Sequence, residues 1–248
     1  MKSILSALML STAVLGVPAV EAAEPVRNIV LVHGAFADES SWDKVAVILT
    51  NRGYHVTQVA NPLTSLADDV AAANAVLDAQ DGPAVLVGHS WGGVVIGEAG
   101  NHANVASLVY VSAFAPDRGE SLTALLSGSE PSEGVQAIRP NEQGMLIFDP
   151  AAFPALFAGD LPAAEAEAMA AAQLPSNPAN FEAIAEVAAW HDKPSSYVVT
   201  PADRVVPAGA QHFFAGRIGA VVTEIDASHA GLVSQPEAVA DAIEAAAR

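Results

Sequence analysis

The sequence predicts a single α/β domain built on a mostly parallel, doubly wound sheet of about six strands. First, 52% of its 248 residues are hydrophobic, which is enough for a sizeable core. Second, short runs rich in Val, Ile and Tyr recur, several of them apolar throughout, as in strands covered on both faces. Third, helical patterns alternate with these runs. The predicted strands are residues 28–34, 54–60, 84–90, 107–113, 196–201 and 221–226.

The segments between these strands carry the signals of helix starts and ends. "SSWDKVAVILTNRG" begins with serine and ends with glycine, and "SLADDVAAANAVLDAQDG" repeats that arrangement with acidic residues in its first turn. The last helix, "SQPEAVADAIEAAAR", has Pro236 near its start. Strands joined through helices need right-handed crossovers, so the sheet should be parallel.

Residues 117–195 interrupt the alternation. They contain no convincing strand, and "PAAEAEAMAAAQLP" and "NPANFEAIAEVAAW" predict short helices separated by proline. The segment has 12 acidic and three basic residues, half of the chain's net charge. We interpret it as a helical cap, at about residues 117–195, inserted into one domain that comprises residues 24–248.

The first 23 residues have the pattern of a secretory signal peptide. Lys2 provides the positive flank, residues 4–20 the apolar segment, and small residues near Ala22 and Ala23 a cleavage site. We therefore expect a secreted or periplasmic protein. Although export would permit disulfides, the sequence has no cysteine, so stability must come from the core.

The charge balance narrows the choice of partners. With 28 acidic against 10 basic residues, the net charge is −18, which repels nucleic acid and anionic membranes. We expect no nucleic-acid partner and no stable membrane association after signal cleavage. A small neutral molecule is the expected ligand.

The motif that indicates chemistry is Gly88-His89-Ser90-Trp91-Gly92, which fits G-x-S-x-G. An apolar strand precedes it and the helical run "GGVVIGEAGN" follows, as in a nucleophile elbow that holds a serine out at the carboxyl edge of a sheet. An ordinary glycine-rich turn is the alternative.

A serine nucleophile requires a base and an acid, in the chain order serine, acid, histidine. His229 follows a predicted strand and is the preferred base, because His102, His191 and His212 lie in or beside predicted helices. Both Asp203 and Asp117 follow predicted strands. We prefer Asp203, because Pro201 and Pro207 would fix its turn, whereas Asp117 opens the cap.

The reaction also needs two donors for the oxyanion that forms when a hydroxyl attacks a carbonyl. The backbone amide of Trp91, directly after the serine, is one candidate. The loop "HGAF" after the first strand offers the other, for which Ala35 is the first choice. His33 and His89, beside motif glycines, are expected to shape the backbone rather than transfer protons.

Four motifs, "LVHGAFADESSW", "VGHSWGG", "TPADRVVP" and "ASHAGL", together resemble the α/β-hydrolase superfamily. The chain is most similar to the subgroup of small-ester esterases, plant-type methylesterases and hydroxynitrile lyases, over about residues 27–247. The resemblance implies Ser90 as nucleophile, Asp203 as acid and His229 as base, with the oxyanion bound by the amides of Ala35 and Trp91.

Departures from this family narrow the predicted chemistry. The lyases resemble the pattern with threonine where this chain has Gly34 and with lysine where it has Ala230, so lyase activity is disfavoured. Relatives that displace halide use an aspartate nucleophile, which Ser90 replaces here, although Trp91 resembles theirs.

The sequence therefore predicts an exported serine hydrolase that cleaves a small neutral carboxylic ester or lactone through an acyl-enzyme on Ser90. A non-catalytic ligand-binding protein on this fold, or a cofactor-free perhydrolase or haloperoxidase, is the alternative. No metal or organic cofactor is expected. Candidate pocket-lining residues, for which simple packing is the alternative role, are Phe148, Phe153, Leu156, Phe157, Met169, Phe181 and Trp190.

Overall fold

The structure of the protein is a computed structural model that describes residues 26–128 and 130–248. The signal peptide predicted for residues 1–23 lies outside the described residues. Within those ranges, no helix combines the length and the apolar character needed to cross a bilayer.

A six-stranded parallel sheet forms the centre of the molecule and confirms the predicted fold class. In chain order, the strands are β1 (Asn28–Val32), β2 (His55–Val59), β3 (Ala84–His89), β4 (Val105–Val111), β5 (Ile138–Pro140), β6 (Leu146–Phe148), β7 (Ser195–Val199) and β8 (Val221–Glu224). The sheet has the order β2-β1-β3-β4-β7-β8, and β5 and β6 form a separate antiparallel pair. The chain runs outward from β1 in both directions, as expected for a doubly wound fold.

Helices cover both faces of this sheet. They are α1 (Asp43–Asn51), α2 (Leu66–Asp78), α3 (Gly92–Ala99), α4 (Leu122–Leu126), α5 (Glu133–Gln136), α6 (Phe153–Leu156), α7 (Ala163–Ala172), α8 (Ala179–Glu182), α9 (Ala208–Arg217), α10 (Gly231–Ser234) and α11 (Pro236–Ala245). Short 3-10 helices span Glu39–Trp42 and Ala189–His191. The start of α2 follows the predicted signal, since the Ser65 hydroxyl accepts a hydrogen bond of 3.0 Å from the Asp68 amide.

Alternating side chains of the strands divide the core into two layers. In β3, Val85 packs with the layer beneath α1 and α11, while the adjacent Leu86 packs with the layer beneath α2, α3 and α9. All six residues of β3 are buried, because helices cover it on both sides. The central strand is therefore a rigid support for the turn that follows it.

The segment between β4 and β7 departs from the sequence prediction in two ways. The prediction that residues 117–195 contain no strand was wrong, because β5 and β6 pair there. Each has only three residues, too few to show a strand period. Their turn depends on the side-chain oxygen Oδ1 of Asn141, which accepts from the amides of Gln143 and Met145, both at 3.0 Å.

The second difference concerns the helix predicted from "NPANFEAIAEVAAW". Only Ala179–Glu182 is α-helical, and Ala183 is extended. Beyond it, the Ala185 amide donates to Glu120 O at 2.8 Å and the Val187 amide donates to Glu98 Oε1 at 2.9 Å. These tertiary hydrogen bonds replace the helical ones, so helix propensity did not decide the local structure.

Candidate active site

Ser90 lies at the turn between β3 and α3, as the G-x-S-x-G motif predicts. Its φ angle is +52°, in the left-handed region that residues with a side chain seldom adopt. Two hydrogen bonds, one to the end of β4 and one to the loop after it, hold this conformation: the Ser90 amide donates to Val111 O and the Phe114 amide donates to Ser90 O, both at 3.2 Å. The serine is thus held in a strained position beyond the strand end.

The glycines on either side permit the close approach of strand and helix. A Cβ atom on Gly88 would lie 2.4 Å from the carbonyl oxygen of Gly92, and one on Gly92 would lie 2.6 Å from Val32 O. Both distances are shorter than any carbon–oxygen contact that packing tolerates, and both obstacles are backbone. Side chains at these positions would push α3 away from the sheet.

His229 lies beside Ser90 on the loop after β8. Its Nε2 is 3.0 Å from Ser90 Oγ, and its side chain is fully buried. The ring of Phe157 packs edge-on against the imidazole, with 4.7 Å between ring centroids. Asp160 holds the same loop, because its carboxylate accepts from the Ser228 amide at 3.0 Å and also from the Ser228 hydroxyl. The imidazole therefore has one fixed orientation.

Asp203 lies on the other side of that ring, 2.7 Å from its Nδ1 through Oδ2. The carboxylate is buried, and Oδ1 accepts from the amides of Val205 and Val206 at 2.7 and 2.9 Å. Gln211 Nε2 donates to Oδ2 at 3.1 Å. This set of donors suits an ionised carboxylate and leaves it little freedom to rotate.

The other predicted acid and the other histidines lie apart from this group. Asp117 accepts from His191 Nε2 at 2.9 Å, both side chains are partly exposed, and this hydrogen bond lowers the pKa of Asp117. His102 is paired with Asp78, and His212 lies 3.4 Å from Glu224. Among the described residues, Asp203 is the carboxylate that contacts His229.

His33 and His89 both donate to backbone carbonyls. His89 Nε2 donates to His229 O at 2.9 Å, and His33 Nδ1 donates to Gly34 O at 2.9 Å. Burial lowers the pKa of both rings, most strongly for His89, so both are neutral near pH 7. The Gly34 carbonyl belongs to the same peptide unit as the Ala35 amide, so His33 fixes the orientation of that amide.

Ala35 and Trp91 line the same cavity as Ser90 and His229. Within residues 26–128 and 130–248, neither of the two backbone amides donates to a protein acceptor. Two unpaired amides, in residues that line the same cavity as a buried hydroxyl, form an arrangement that can bind an oxyanion.

The cavity above Ser90 is small and mostly apolar. Its volume is about 20 Å³. Of the predicted lining residues, Phe157 and Phe181 contribute to its wall, whereas Met169 lines a separate outer pocket. Phe148 and Phe153 are fully buried and pack around Phe157. Leu156 and Trp190 also pack against the core instead of lining this cavity.

Sequence reasoning missed much of the wall. The missed residues come from the loops after β1, β4 and β7 and from the first part of the cap: Phe36, Phe114, Leu122, Leu126, Val135, Ile138 and Val205. Leu122 and Leu126 have the four-residue spacing of one helix face, which was the available signal. In the described ranges no group of three or more His, Cys, Asp or Glu side chains could hold a metal ion.

Comparisons with known proteins concern the family of this chain. A family model described as "Alpha/beta hydrolase family" matches residues 29–242. The pyrethroid hydrolase of Sphingobium wenxiniae (strain DSM 21828 / CGMCC 1.7748 / JZ-1) is 28% identical over 253 residues, covering 88% of this chain and 86% of that protein. A carbendazim hydrolyzing esterase of Nocardioides sp. (strain SG-4G) is 33% identical over 122 residues, 44% of this chain and 50% of that protein.

Comparison with solved structures also finds a hydrolase with a similar fold. A solved structure of a pyrethroid hydrolase has a TM-score of 0.75 and 25% identity, covering 90% of this chain and 98% of that one. The names of these relatives agree with the ester hydrolase that the sequence predicts. Because the family model covers most of the sequence, this chain belongs to the alpha/beta hydrolase family.

Proposed function

We propose that this protein is an exported serine hydrolase that cleaves small, neutral carboxylic esters or lactones through an acyl-enzyme on Ser90. The observation that carries the proposal is the hydrogen-bond chain from Ser90 Oγ through His229 to Asp203, whose serine end lines an apolar cavity. Export is proposed from the signal-like pattern of residues 1–23.

The first half-reaction starts with attack of Ser90 Oγ on the ester carbonyl. His229 Nε2 accepts the hydroxyl proton, and the carbonyl oxygen becomes an oxyanion that the amides of Ala35 and Trp91 bind. His229 then gives this proton to the departing alkoxide. An alcohol leaves, and an acyl group remains on Ser90.

The second half-reaction uses water in place of serine. His229 Nε2 takes a proton from water, whose oxygen attacks the acyl carbonyl, and returns it to Ser90 Oγ as the acid departs. The products are one alcohol and one carboxylic acid, and the enzyme is regenerated. A lactone opens by the same steps to one hydroxy acid.

Asp203 determines which ring nitrogen of His229 can act as the base. Because Oδ2 accepts from Nδ1 at 2.7 Å, the proton of the neutral ring lies on Nδ1 and Nε2 is free to accept. When His229 becomes an imidazolium, the adjacent carboxylate stabilises its charge.

The cavity and the charge support a neutral, modest-sized substrate. Its wall is formed mainly by Leu, Val, Ile and Phe side chains, which favour apolar acyl or alcohol groups. The net charge of −18 disfavours anionic substrates. The wall side chains that the cap contributes, such as Phe181 and Leu126, would contact an ester bound at Ser90.

The experiment that tests this proposal compares the wild type with Ser90→Ala on p-nitrophenyl esters, aryl esters and simple lactones. We expect hydrolysis of at least one class by the wild type and a fall in kcat of about 10⁶-fold in Ser90→Ala. Ser107→Ala is a matched control, because Ser107 is also buried but bonds to Ala246 O at the opposite end of the sheet. Full activity in Ser90→Ala would refute the proposal.

A serine-reactive fluorophosphonate separates the enzyme from a binding protein on the same fold. The enzyme should be labelled at Ser90, and prior unfolding should abolish labelling because it separates Ser90 from His229. A folded protein that resists labelling and hydrolyses none of the esters would favour the binding protein instead.

A further inference from the structure

Asp69 on α2 is a buried acid outside the Ser90–His229–Asp203 group. Its side chain is inaccessible to solvent, and burial raises its pKa. Oδ2 accepts from the indole Nε1 of Trp91 at 2.7 Å, and Oδ1 accepts from the Leu63 amide at 2.7 Å. The carboxylate thus connects the residue after the serine to the loop that precedes α2.

Burying a carboxylate in this way is costly. Desolvation of an acid disfavours folding unless hydrogen bonds compensate, and no lysine or arginine in the described ranges pairs with Asp69. The adjacent Asp68 shows that the start of the helix does not require burial, because Asp68 bonds to Ser65 and Thr64 while remaining exposed. The acid at position 69 therefore needs another explanation.

The indole that Asp69 holds belongs to a proposed oxyanion donor. Trp91 is 2% exposed, and its backbone amide lies directly after the strained Ser90. Fixing the ring limits rotation of residue 91 and so limits displacement of its amide relative to Ser90 Oγ. Because the indole N–H is already bonded to Asp69, it is not free to bind a halide or another ligand in the cavity.

We propose that Asp69 is a positioning residue for the oxyanion hole, holding the Trp91 amide in place through the indole ring. The inference rests on the proposed serine mechanism and adds a residue to it. Asp69 touches neither the substrate nor the reacting atoms. Its contribution is made through Trp91, so it should appear in transition-state binding more than in substrate binding.

Two variants test this role from opposite ends of the hydrogen bond. Asp69→Asn replaces one of the two acceptor oxygens by an NH₂ group, and Trp91→Phe removes the indole N–H while keeping the backbone amide. We expect each to lower kcat by about 10- to 100-fold and to change KM by less than about threefold, since donor placement matters mainly in the transition state. The affinity for a phenylboronic acid, which forms a tetrahedral adduct with Ser90, should fall with kcat.

The double variant measures whether the two residues act together. If they do, Asp69→Asn/Trp91→Phe should be about as slow as the slower single variant, not slower by the product of both effects. Asp68→Asn is the matched control, because it removes one exposed acid from the same helical turn and should keep kcat within about twofold. All rates are divided by the concentration of sites that a fluorophosphonate titrates.

Unchanged kcat and boronate affinity in folded Asp69→Asn would overturn the inference. If kcat is unchanged, a lower melting temperature would also overturn it, and so would a higher KM, because either result indicates a purely structural role. If Asp69→Asn does not fold, Trp91→Phe alone decides by the same criteria. Failure of the serine mechanism itself is distinct, because the wild type would then not be labelled at Ser90.

Discussion

At the scale of single residues, the hydrogen bonds of Asp203 explain why an acid is needed at this position. Oδ1 is committed to the amides of Val205 and Val206, so Oδ2 is the atom that faces His229. An asparagine here would keep its oxygen on the two amides and turn its NH₂ group toward Nδ1. The ring would then carry its proton on Nε2 and could not accept one from Ser90.

We therefore predict that Asp203→Asn lowers kcat on a p-nitrophenyl ester by about 10⁴-fold. Asp117→Asn is the matched control, and its kcat should stay within about twofold because Asp117 bonds to His191. Steady-state kinetics of the two variants in parallel provide the measurement. A larger fall in kcat for Asp117→Asn than for Asp203→Asn would show that the acid has been misassigned.

The sequence predicted which residues would meet at the site but not what surrounds them. Ser90, Asp203 and His229 each follow a strand, and parallel strands place such loops at one edge, so order and position were sufficient. The sequence gives no such signal for Asp69. Both acids of "LADD" lie in the first turn of a predicted helix, where acidic side chains interact favourably with the helix dipole, so neither one stands out. Only tertiary contacts distinguish the buried acid from its exposed neighbour.

At the scale of elements, the junction of β3 and α3 is the feature on which the site depends. A Cβ on Gly88 meets the backbone of Gly92 at 2.4 Å, and neither the strand nor the helix can move without disturbing the core. In contrast, Gly216 in α9 has open space around its missing Cβ. The two glycines therefore have opposite predicted responses to alanine.

Gly88→Ala should lower the free energy of unfolding by about 3 kcal/mol and abolish ester hydrolysis, because it overpacks the junction and displaces Ser90. Gly216→Ala should leave activity intact and raise stability by roughly 0.5–1 kcal/mol, because glycine is unfavourable inside a helix. Urea unfolding followed by circular dichroism measures both. Similar stabilities for the two variants would be inconsistent with this packing.

Long apolar elements were predictable from the sequence, and short ones were not. The six sheet strands appear within two residues of their predicted starts. Burial on both faces gives the inner strands β1, β3 and β4 apolar runs, whereas the edge strands β2 and β8 are partly buried and exposed, respectively, and were found from their β-branched residues. β5 and β6 were missed because a hairpin of three-residue strands has no periodicity. The helix expected after Pro178 was shortened by hydrogen bonds to Glu98 and Glu120, which local sequence cannot reveal.

At the scale of the whole molecule, buried neutral histidines should make stability depend on pH. Burial lowers the pKa of His33 and His89 below the value of 6.5 expected in the unfolded chain. As the pH falls below 6.5, the unfolded state therefore binds more protons than the folded state. The contribution of the two histidines to stability is present above this pH and is lost below it. The raised pKa values of Asp69 and Glu98 have the opposite effect, because the folded state then binds more protons than the unfolded state as the pH falls.

The free energy of unfolding of the wild type should fall between about pH 7 and about pH 5, and we predict that it falls less in the double variant His33→Asn/His89→Gln. The difference is at most about 1.4 kcal/mol per pH unit for each histidine. Both replacements retain an N–H that can reach the carbonyls of Gly34 and His229. Urea unfolding of variant and wild type at matched pH isolates the histidine contribution from that of the acids. If the free energy of unfolding depends equally on pH in the variant and the wild type, this prediction is wrong.

The central claim is that Ser90 forms an acyl-enzyme, and rapid mixing of the protein with p-nitrophenyl acetate tests it most directly. We predict a burst of p-nitrophenol stoichiometric with fluorophosphonate-titrated sites, followed by slower turnover. Acid quenching during that phase should trap an acetyl group that peptide mass spectrometry locates on Ser90, and Ser90→Ala should show neither burst nor adduct. Turnover without an adduct, with equal rates in wild type and Ser90→Ala, would contradict the account.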